Sequence, residues 1–368
     1  MQSSKTSPKI IISGGGTGGH IYPAIAIADE IKNRLPEARI LFVGALGKME
    51  MEKVPMAGYQ IKGLPISGID RGNLLSNLSF PLKLQKSLKL AKKIIKEFNP
   101  DVAIGTGGYA SGPLLWQASK QGIPVIIQEQ NSLPGITNKL LKNRAAAICV
   151  AYEGISQFPA AKTHYTGNPI RSNLFENLTD RELALKSFGL DPTKKTILSL
   201  GGSQGSRTLN NAWQIGLEKI QENDIQLIWQ TGKLDYEKIK SEMVGDLRGI
   251  HITEFIYDMK TAFSAADLIV SRAGAMAISE LSLVAKPLIL VPFPFAAEDH
   301  QTKNAQALVR NNASLMLTDT QVKEELIHSA IDLIQDEVKQ KILSGNLKRM
   351  GKPNATKEIV DILLSKIK

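Results

Sequence analysis

The glycine-rich stretch after the first apolar run limits what this chain can fold into more than any other segment. Ile10-Ile-Ile12 leads into Gly14-Gly-Gly-Thr-Gly-Gly-His20, and an apolar periodic stretch begins at Ala24. This order predicts a buried strand, a glycine turn and a helix. Bare glycine N–H groups and the unpaired donors of a helix amino end together form an anion site. A tight turn without a ligand would need fewer glycines, so we expect an anion site with the titratable imidazole of His20 at its rim.

The same glycines permit a dinucleotide interpretation. Gly14, Gly16 and Gly19 match G-x-G-x-x-G, which requires an acidic residue at the end of the next strand to hold a ribose. Residues 44–47 follow the next predicted strand and include no Asp or Glu, and the chain has no Gly-Lys-Ser/Thr of a P-loop. A nicotinamide-dependent oxidoreductase is therefore the weaker alternative, and an absorbance change with NAD(P)H would reveal it.

Length and composition favour a two-domain globular protein. A chain of 368 residues exceeds one ordinary core, and 43% hydrophobic with 22% charged residues is typical of globular proteins. The single cysteine, Cys149, excludes a disulfide framework and a cysteine zinc site and suits a reducing compartment. The amino terminus has no apolar signal core, and the most apolar stretch, 287–297, is short and interrupted by prolines. We therefore expect no membrane-spanning segment.

The net charge of +10 indicates an anionic partner. Only 5% of residues are aromatic, which disfavours a groove for single-stranded nucleic acid, and no nucleic acid is expected. Lysines recur on one helical stretch, 83–96, directly after an apolar cluster in 74–82. This helix is either a solvated surface face or a docking surface for an anionic membrane leaflet. The predicted membrane contacts are Leu74, Leu75, Leu78, Phe80, Lys83 and Lys86.

Short apolar runs alternate with helical patterns along nearly the whole chain, which predicts parallel βα units. The ten predicted strands are Ile10–Ile12, Ile40–Val43, Val102–Ile104, Val125–Ile127, Ala147–Val150, Thr196–Leu200, Gln226–Gln230, Ile250–Thr253, Leu268–Val270 and Leu288–Val291. The second half restarts as the first begins, because Gly201-Gly-Ser-Gln-Gly205 aligns with Gly15–Gly19. We therefore predict an α/β fold of two doubly wound, Rossmann-like parallel-sheet domains facing a central cleft. The domains are 1–166 and 167–353, and we expect a terminal helix at about 354–368 to pack back on the first.

Five polar or glycine-bearing segments each follow a predicted strand, so their side chains should converge at strand ends. The segments are 14–20, 105–112, 128–131, 201–207 and 271–280. In the last segment Gly274 opens a helix, and Glu280 lies on the same helix face as Met276, which suits a carboxylate that accepts from a ribose diol. A solvated helix carboxylate is the simpler reading of Glu280 taken alone. No Asp-x-Asp pair occurs, so neither a metal nor another cofactor is expected, and helix ends and basic residues would neutralise a diphosphate.

These motifs together resemble the MurG family of glycosyltransferases over nearly the whole chain. The matching segments are Gly14–His20, Gly105–Gly112, Glu129–Asn131, Gly167–Arg171, Gly201–Gly205, Thr253–Ile256, Arg272–Glu280 and Asp299–Asn304. The resemblance implies a GT-B fold and an inverting transfer of GlcNAc from UDP-GlcNAc to the 4-hydroxyl of MurNAc in lipid I. The products would be lipid II and UDP, in peptidoglycan biosynthesis. It also implies a peripheral enzyme on the cytoplasmic face of the bacterial inner membrane, with the apolar and lysine-bearing region 74–96 as its membrane contact.

The resemblance assigns roles to individual positions. Donor-binding residues would be Thr17, Gly18, Gly19, Asn131, Arg171, Ser203, Ile256, Ala275, Met276, Ala277, Ile278, Ser279, Glu280 and Gln301. Of these, Asn131 and Gln301 would hold GlcNAc hydroxyls, and Ser203 the diphosphate. Ile256, helped by Arg171, would read uracil through its backbone, 275–279 would supply helix-end donors, and Glu280 the ribose contact.

His20 would activate the acceptor, with Glu129 as a second catalytic group. Some family members carry histidine where this chain has Gln128, so that position receives no catalytic role.

Two further interpretations stay open. A non-catalytic nucleotide- or lipid-binding module would bind UDP-sugar without releasing UDP. Another GT-B transferase, such as a glycolipid synthase, would release UDP only with a different acceptor.

Overall fold

The computed structural model of the chain describes residues 7–68, 78–170, 179–202, 204–243 and 245–367. Its strands are β1 (Lys9–Gly14), β2 (Arg39–Ala45), β3 (Gln60–Leu64), β4 (Val102–Gly107), β5 (Val125–Glu129), β6 (Ala147–Val150), β7 (Thr163–Tyr165), β8 (Lys195–Leu200), β9 (Ile225–Gln230), β10 (Ile250–Thr253), β11 (Leu268–Ser271), β12 (Leu288–Leu290) and β13 (Leu315–Met316).

Helices connect nearly all of these strands. They are α1 (Gly18–Arg34), α2 (Glu50–Met56), α3 (Phe80–Phe98), α4 (Ser111–Lys120), α5 (Ile136–Leu141), α6 (Arg181–Ser187), α7 (Arg207–Glu222), α8 (Tyr236–Glu242), α9 (Met259–Ala265), α10 (Ala275–Val284), α11 (His300–Arg310), α12 (Val322–Gln335), α13 (Glu337–Met350) and α14 (Ala355–Leu364).

The chain divides into two compact units, each built on one parallel sheet. Unit 1 is Met1–Arg171 with Lys352–Lys368, and unit 2 is Ser172–Gly351. The sheet of unit 1 has the order β3-β2-β1-β4-β5-β6-β7, and that of unit 2 the order β10-β9-β8-β11-β12-β13. Every strand pair in both sheets is parallel. The strand order reverses between β1 and β4 in unit 1 and between β8 and β11 in unit 2, and ligands of such sheets bind at that reversal.

All ten predicted strands are present, and three further strands lie at sheet edges. These are β3 and β7, at the two edges of the first sheet, and β13, at one edge of the second. An edge strand is covered on fewer sides, so its sequence need not be a continuous apolar run. In β3 the side chains of Gln60 and Lys62 are exposed, and β13 is only two residues long. Their polar or brief sequences explain why apolar runs alone do not reveal them.

The terminal helix α14 completes the core of unit 1. Ile359, Val360 and Leu363 are fully buried in the same cluster as Ile10 and Ile12 of β1. The guanidinium of Arg34 on α1 also forms an ion pair with Asp361 and donates to the Lys357 carbonyl at 3.1 Å. The chain therefore returns to unit 1 after residue 351. The sequence-based boundaries at 166/167 and 353/354 differ from the observed division by five residues and two residues.

The lysine-bearing helix α3 is amphipathic. Ala91, Ile94 and Ile95 are buried against the unit, whereas Lys86, Lys89, Lys92, Lys93 and Lys96 are exposed. Asn99 ends the helix in the left-handed conformation, with φ 51°. In the described part of the chain, none of the helices combines the length and apolar character needed to cross a bilayer.

Candidate active site

The strand reversal of unit 1 brings two glycine loops together. The loop after β1 and the end of β4 are neighbours in the sheet, and Gly15 N–H donates to the Gly107 carbonyl at 3.3 Å. Gly108 has φ +91°, and a Cβ there would lie 2.3 Å from the Gly15 carbonyl oxygen. Only glycine permits this backbone-to-backbone approach. Two of the five predicted polar segments therefore meet at the carboxyl ends of the neighbouring strands β1 and β4.

A buried carboxylate holds the first glycine loop. Glu50, at the start of α2, is 0% exposed and accepts from Gly16 N–H at 2.8 Å and from Ala45 N–H at 2.9 Å. Through Ala45 this carboxylate contacts the end of β2, although Glu50 lies beyond residues 44–47, where a dinucleotide site would require its ribose-binding acid. Because both oxygens are engaged by backbone donors in a fully buried position, Glu50 cannot serve as the ribose acid of a dinucleotide site. The structure thus removes support for the oxidoreductase alternative.

The imidazole of His20 lies against the end of β4, next to Thr106 and Gly107. Its Nδ1 is 2.9 Å from the Thr106 carbonyl oxygen and 3.1 Å from Gln130 Oε1. Both neighbours are acceptors, so Nδ1 carries a proton, and in the neutral ring the lone pair is then on Nε2. A Cβ on Gly107, which has φ +108°, would lie 2.6 Å from Nδ1. The lack of a side chain at Gly107 therefore leaves room for the imidazole ring.

Buried amides continue from His20 into unit 1. Gln130 Nε2 donates to the Thr106 carbonyl and to Gln128 Oε1. Gln128 Nε2 donates to Asn168 Oδ1 at 2.9 Å, and Asn168 Nδ2 donates to the Gln130 carbonyl at 3.1 Å. These three amide residues are 0–2% exposed. The sequence places two of them on one face of the chain, two residues apart at the end of β5.

Glu129, between the two glutamines, is directed into the loop that follows. Its Oε1 accepts from Asn131 N–H at 3.0 Å, and its Oε2 accepts from Gly135 N–H at 3.0 Å and from Asn138 Nδ2 at 2.8 Å. The residue is 2% exposed. Its carboxylate therefore organises residues 131–138, including the predicted sugar contact Asn131.

The amino end of α1 presents the predicted donors of unit 1. Thr17 is its extended N-cap residue, and its side chain makes no capping hydrogen bond. Gly18 and Gly19 occupy the first turn, where N–H groups have no intrahelical acceptor. The exposed rings of Tyr22 and Tyr109 flank this turn, close to Gly18 and Gly16 respectively. An anion could approach the free N–H groups between these rings.

The strand reversal of unit 2 carries the second glycine loop. After β8, Gly205 with φ +84° packs against Gly232 with φ +81°, and Gly205 N–H donates to the Gly202 carbonyl at 3.0 Å. Gln230, only 4% exposed, links this loop to the next one. Its Nε2 donates to the Gly202 carbonyl at 3.2 Å, and its Oε1 accepts from Ile256 N–H at 3.0 Å. The hydrogen bond from its N–H fixes the Ile256 backbone, and its carbonyl is the backbone group that could accept a hydrogen bond from a nucleobase.

The helix after β11 carries an unpaired carboxylate. Gly274 is the extended N-cap of α10, with no side-chain cap, and a Cβ there would meet nothing within 4 Å. Glu280, in the second turn, makes no hydrogen bond or ion pair within the described ranges, and burial raises its pKa to about 7. A largely buried carboxylate without a partner costs free energy, which a hydroxyl-bearing ligand would offset. In this respect Glu280 differs from Glu50 and Glu129, whose oxygens are all engaged.

Gln301 and Arg272 hold the loops on either side of α10. Gln301 Oε1 accepts from Ala273 N–H at 3.1 Å and from Phe293 N–H at 2.9 Å. Arg272 donates to Asp319 Oδ1 at 2.6 Å and to the Val291 carbonyl at 3.2 Å. The Gln301 amide nitrogen is therefore the group left for a ligand, whereas the Arg272 guanidinium already has an anionic partner.

Comparison with known proteins decides the family. Models of the glycosyltransferase family 28 N-terminal and C-terminal domains match residues 10–150 and 196–362. A relative in Parabacteroides distasonis is 52% identical over 356 residues, 96% of each chain, and one in Phocaeicola vulgatus is 55% identical over 346 residues, 93% of this chain and 92% of that one. Both are UDP-N-acetylglucosamine–N-acetylmuramyl-(pentapeptide) pyrophosphoryl-undecaprenol N-acetylglucosamine transferases. The chain belongs to this family.

The crystal structure of Acinetobacter baumannii MurG is 26% identical to the chain and superposes with a TM-score of 0.80, over 97% of this chain and 99% of that one. The MurG-family resemblance and the predicted GT-B class of two parallel-sheet domains are therefore confirmed. The chain is a glycosyltransferase of this family.

Several residues assigned from the MurG family lie outside the described residues. These are Arg171, Ser203, Leu74 and Leu75. The described residues with assigned donor roles all follow strands of the two sheets. In unit 1 these are Thr17, Gly18 and Gly19 after β1 and Asn131 after β5, and in unit 2 they are Ile256 after β10, Ala275, Met276, Ala277, Ile278, Ser279 and Glu280 after β11, and Gln301 after β12.

Four residues with buried polar side chains at these sites are absent from the sequence-based site: Glu50, Gln128, Gln130 and Gln230. The glutamines at 128 and 130 are recognisable as a polar segment after a strand, but His20, the partner of Gln130, is 110 residues away in sequence. No short-range pattern indicates that contact.

The assigned membrane contacts that the structure describes lie at the start of α3. Leu78 is 76% exposed, Phe80 is half-buried and Lys86 is exposed. Lys83 is half-buried, and its ammonium donates to Ser67 Oγ at 3.2 Å. An additional apolar side chain, Leu82, is 63% exposed beside Leu78.

Proposed function

We propose that this protein transfers GlcNAc from UDP-GlcNAc to the 4-hydroxyl of the MurNAc unit of lipid I, forming lipid II and UDP. The observation that carries the proposal is a pair of complementary groups at two strand reversals. One is an imidazole whose Nδ1 is engaged by two acceptors, which leaves Nε2 for a substrate, and the other is a carboxylate behind a helix amino end that has no partner among the described residues. The names of the relatives supply the sugar donor and the lipid acceptor.

Unit 2 is the donor-binding domain in this proposal. The Glu280 carboxylate accepts hydrogen bonds from the ribose diol, and the amino end of α10, residues 275–279, donates to the diphosphate. Ser203 contributes a further donor to the diphosphate, and Arg171 assists in binding uracil. The Ile256 carbonyl accepts from uracil, while its N–H is held by Gln230.

Unit 1 is the acceptor-binding domain. His20 Nε2 removes the proton from the MurNAc 4-hydroxyl as its oxygen forms a bond to the anomeric carbon of GlcNAc. The bond from that carbon to the diphosphate oxygen breaks, and the electron pair leaves with UDP, so the anomeric configuration inverts. The helix ends and the glycine loops stabilise the negative charge that develops on UDP.

The role of Glu129 follows from its hydrogen bonds. Its carboxylate oxygens already accept from residues 131–138, so we assign it to holding Asn131 for a GlcNAc hydroxyl rather than to proton transfer. Thr17, Gly18 and Gly19 provide further donors, and the Gln301 amide nitrogen contacts a sugar hydroxyl. No step in this scheme uses a metal or another cofactor.

The amino-terminal part of α3 is the proposed membrane contact. Leu78 and Leu82 project apolar groups beside exposed lysines, a combination that binds anionic lipid surfaces. Phe80 begins α3, and Leu74 and Leu75 precede it in the sequence. The protein would thus work as a peripheral enzyme at the cytoplasmic face of the bacterial inner membrane, where lipid I is presented.

The test combines UDP release with two substitutions. Wild-type protein incubated with UDP-GlcNAc and a lipid I analogue should release UDP, and UDP-GalNAc or UDP-glucose should be poorer donors. His20→Ala should lower kcat by about 10²- to 10⁴-fold with little change in donor affinity, because it removes a general base. Glu280→Ala should mainly weaken UDP-GlcNAc binding. The roles are refuted by equal losses of kcat and donor affinity in both variants, and UDP-sugar binding without UDP release would favour a binding module.

A further inference from the structure

The buried amides next to His20 have a fixed hydrogen-bonding direction. Gln130 contacts both His20 Nδ1 and the Thr106 carbonyl. A carbonyl can only accept, so the Gln130 amide nitrogen must face Thr106 and its oxygen must face the imidazole. The reversed amide would place its oxygen against the Thr106 carbonyl oxygen and against Gln128 Oε1. The position of the Gln130 oxygen follows from chemistry, independently of how an amide is drawn.

Gln128 and Asn168 also have a fixed amide orientation. Gln128 offers its oxygen to Gln130 and its nitrogen to Asn168 Oδ1, and Asn168 returns its nitrogen to the Gln130 carbonyl. This chain of three amides therefore begins at the Thr106 carbonyl and ends at the Gln130 carbonyl, and a main-chain carbonyl can only accept. Each side chain is almost completely buried, so bulk water cannot replace a lost partner without a cost.

We propose that Gln130, oriented by Gln128 and Asn168, is a positioning residue that keeps His20 in its Nδ1–H tautomer with Nε2 available as the base. This inference rests on the proposed function only for its effect on turnover, because the tautomer of His20 is a property of the protein itself. The partners of Nδ1 are a main-chain carbonyl and an amide oxygen, both uncharged. Neither can take the proton from Nδ1, so of the two neutral tautomers they select the one with its lone pair on Nε2.

Two substitutions separate positioning from simple packing. Gln130→Met keeps side-chain length but removes the acceptor, which leaves the Thr106 carbonyl alone at Nδ1. We expect kcat to fall about 10- to 100-fold, as for other residues that orient an imidazole, with the KM for UDP-GlcNAc within about twofold of wild type. Gln130→Glu keeps the size of the side chain and an oxygen at Nδ1, and its negative charge stabilises the imidazolium. It also replaces the Nε2 donor to the Thr106 carbonyl and Gln128 Oε1 by an oxygen. The acid limb of the pH–kcat profile should then move up by about one pH unit.

The tautomer can be measured directly. In protein labelled at histidine with ¹⁵N and ¹³C, the ring shifts distinguish the two neutral tautomers and the imidazolium, and His20→Ala assigns the His20 signals. Wild type should show the Nδ1–H form, Gln130→Met a mixture, and Gln130→Glu a titration midpoint above that of wild type. Gln121→Met is the matched control, because this glutamine is exposed and its side-chain amide donates to the Gln117 carbonyl of α4 at 3.3 Å.

The outcomes are distinguishable. Wild-type tautomer populations in Gln130→Met, together with an unmoved titration midpoint in Gln130→Glu, would overturn the positioning role whatever the activity. Full turnover in His20→Ala would instead remove His20 as the base, and the ring shifts would still decide what Gln130 does. Should Gln130→Met fail to fold, Gln130→Leu, which also lacks the acceptor, takes its place, because the titration midpoint of Gln130→Glu reports charge near the ring and not the tautomer.

Discussion

Replacement of Glu280 by Gln should stabilise the protein and at the same time weaken UDP-GlcNAc binding. The carboxylate has no partner in the described part of unit 2, and burial raises its pKa from 4.5 to about 7. Glutamine has the same shape but no charge to bury. A residue retained at a cost in stability is the pattern expected of a ligand-binding group.

The size of the stability effect follows from the pKa difference between the unfolded and folded states. A rise from 4.5 to about 7 corresponds to about 3 kcal/mol at 1.36 kcal/mol per pKa unit. Because the folded-state pKa is raised, the wild-type protein has its full stability below pH 4.5, where Glu280 is neutral in both states. It loses stability as pH rises from 4.5 through 7, because folding then requires the carboxyl to stay protonated or a charge to be buried. The Gln variant has no such loss. Its advantage over wild type should therefore grow from about 1 kcal/mol at pH 5 to about 3 kcal/mol at pH 8.

Urea unfolding of both proteins between pH 5 and pH 8.5 measures this difference. Glu218→Gln provides the matched control on the exposed face of α7 and should change the free energy of unfolding by less than about 0.5 kcal/mol at every pH. A constant stability difference between Glu280→Gln and wild type across this range would refute the reasoning, because a pH-independent effect cannot come from an ionising carboxyl.

The same pKa predicts the pH dependence of donor binding. If only the ionised carboxylate accepts from the ribose diol, the apparent Kd carries the factor 1 + 10^(pKa − pH), which is about 11 at pH 6 and about 1.1 at pH 8 for a pKa of about 7. UDP-GlcNAc should thus bind about tenfold more weakly at pH 6 than at pH 8, measured by calorimetry. UDP-GlcNAc is preferable to UDP because its diphosphate does not titrate in this range. The Gln variant should bind weakly at both pH values, and a wild-type Kd that is independent of pH would count against the ribose role.

Three other substitutions test the arrangement of unit 1. Gly107→Ala should reduce kcat at least tenfold, because its Cβ would lie 2.6 Å from the imidazole. Gly122→Ala, also at a positive φ (+74°) but with nothing within 4 Å, should leave kcat unchanged. Glu50→Gln should lower the free energy of unfolding by about 1–3 kcal/mol in urea titrations, because one buried backbone N–H then faces an amide nitrogen; an unchanged midpoint would contradict the loop-holding role. Leu78→Ser with Leu82→Ser should weaken sedimentation with anionic phospholipid vesicles while turnover of a water-soluble acceptor stays as in wild type; unaltered vesicle binding would exclude this surface.

The parallel-sheet architecture was predictable because buried parallel strands are nearly continuous apolar runs. Each of the ten strands predicted from such runs is present. The three strands that sequence patterns miss, β3, β7 and β13, are edge strands, and in them exposure or brevity removes the apolar signal. The position of α14 on unit 1 likewise depends on contacts with residues more than 300 positions earlier, as for Asp361 and Arg34.

The sequence by itself determined the local features of the site: the glycine loops, the helix that begins after Gly274, and the presence of His20 and Glu280. Only the tertiary structure decided what each polar side chain does. Three buried acidic or amide groups, Glu50, Glu129 and Gln130, are engaged by backbone or side-chain partners, whereas Glu280 has none among the residues that the structure describes. The physical reason is that hydrogen bonding and desolvation depend on neighbours that are distant in sequence, so a carboxylate's role as a clamp or as a ligand acceptor is set by the fold.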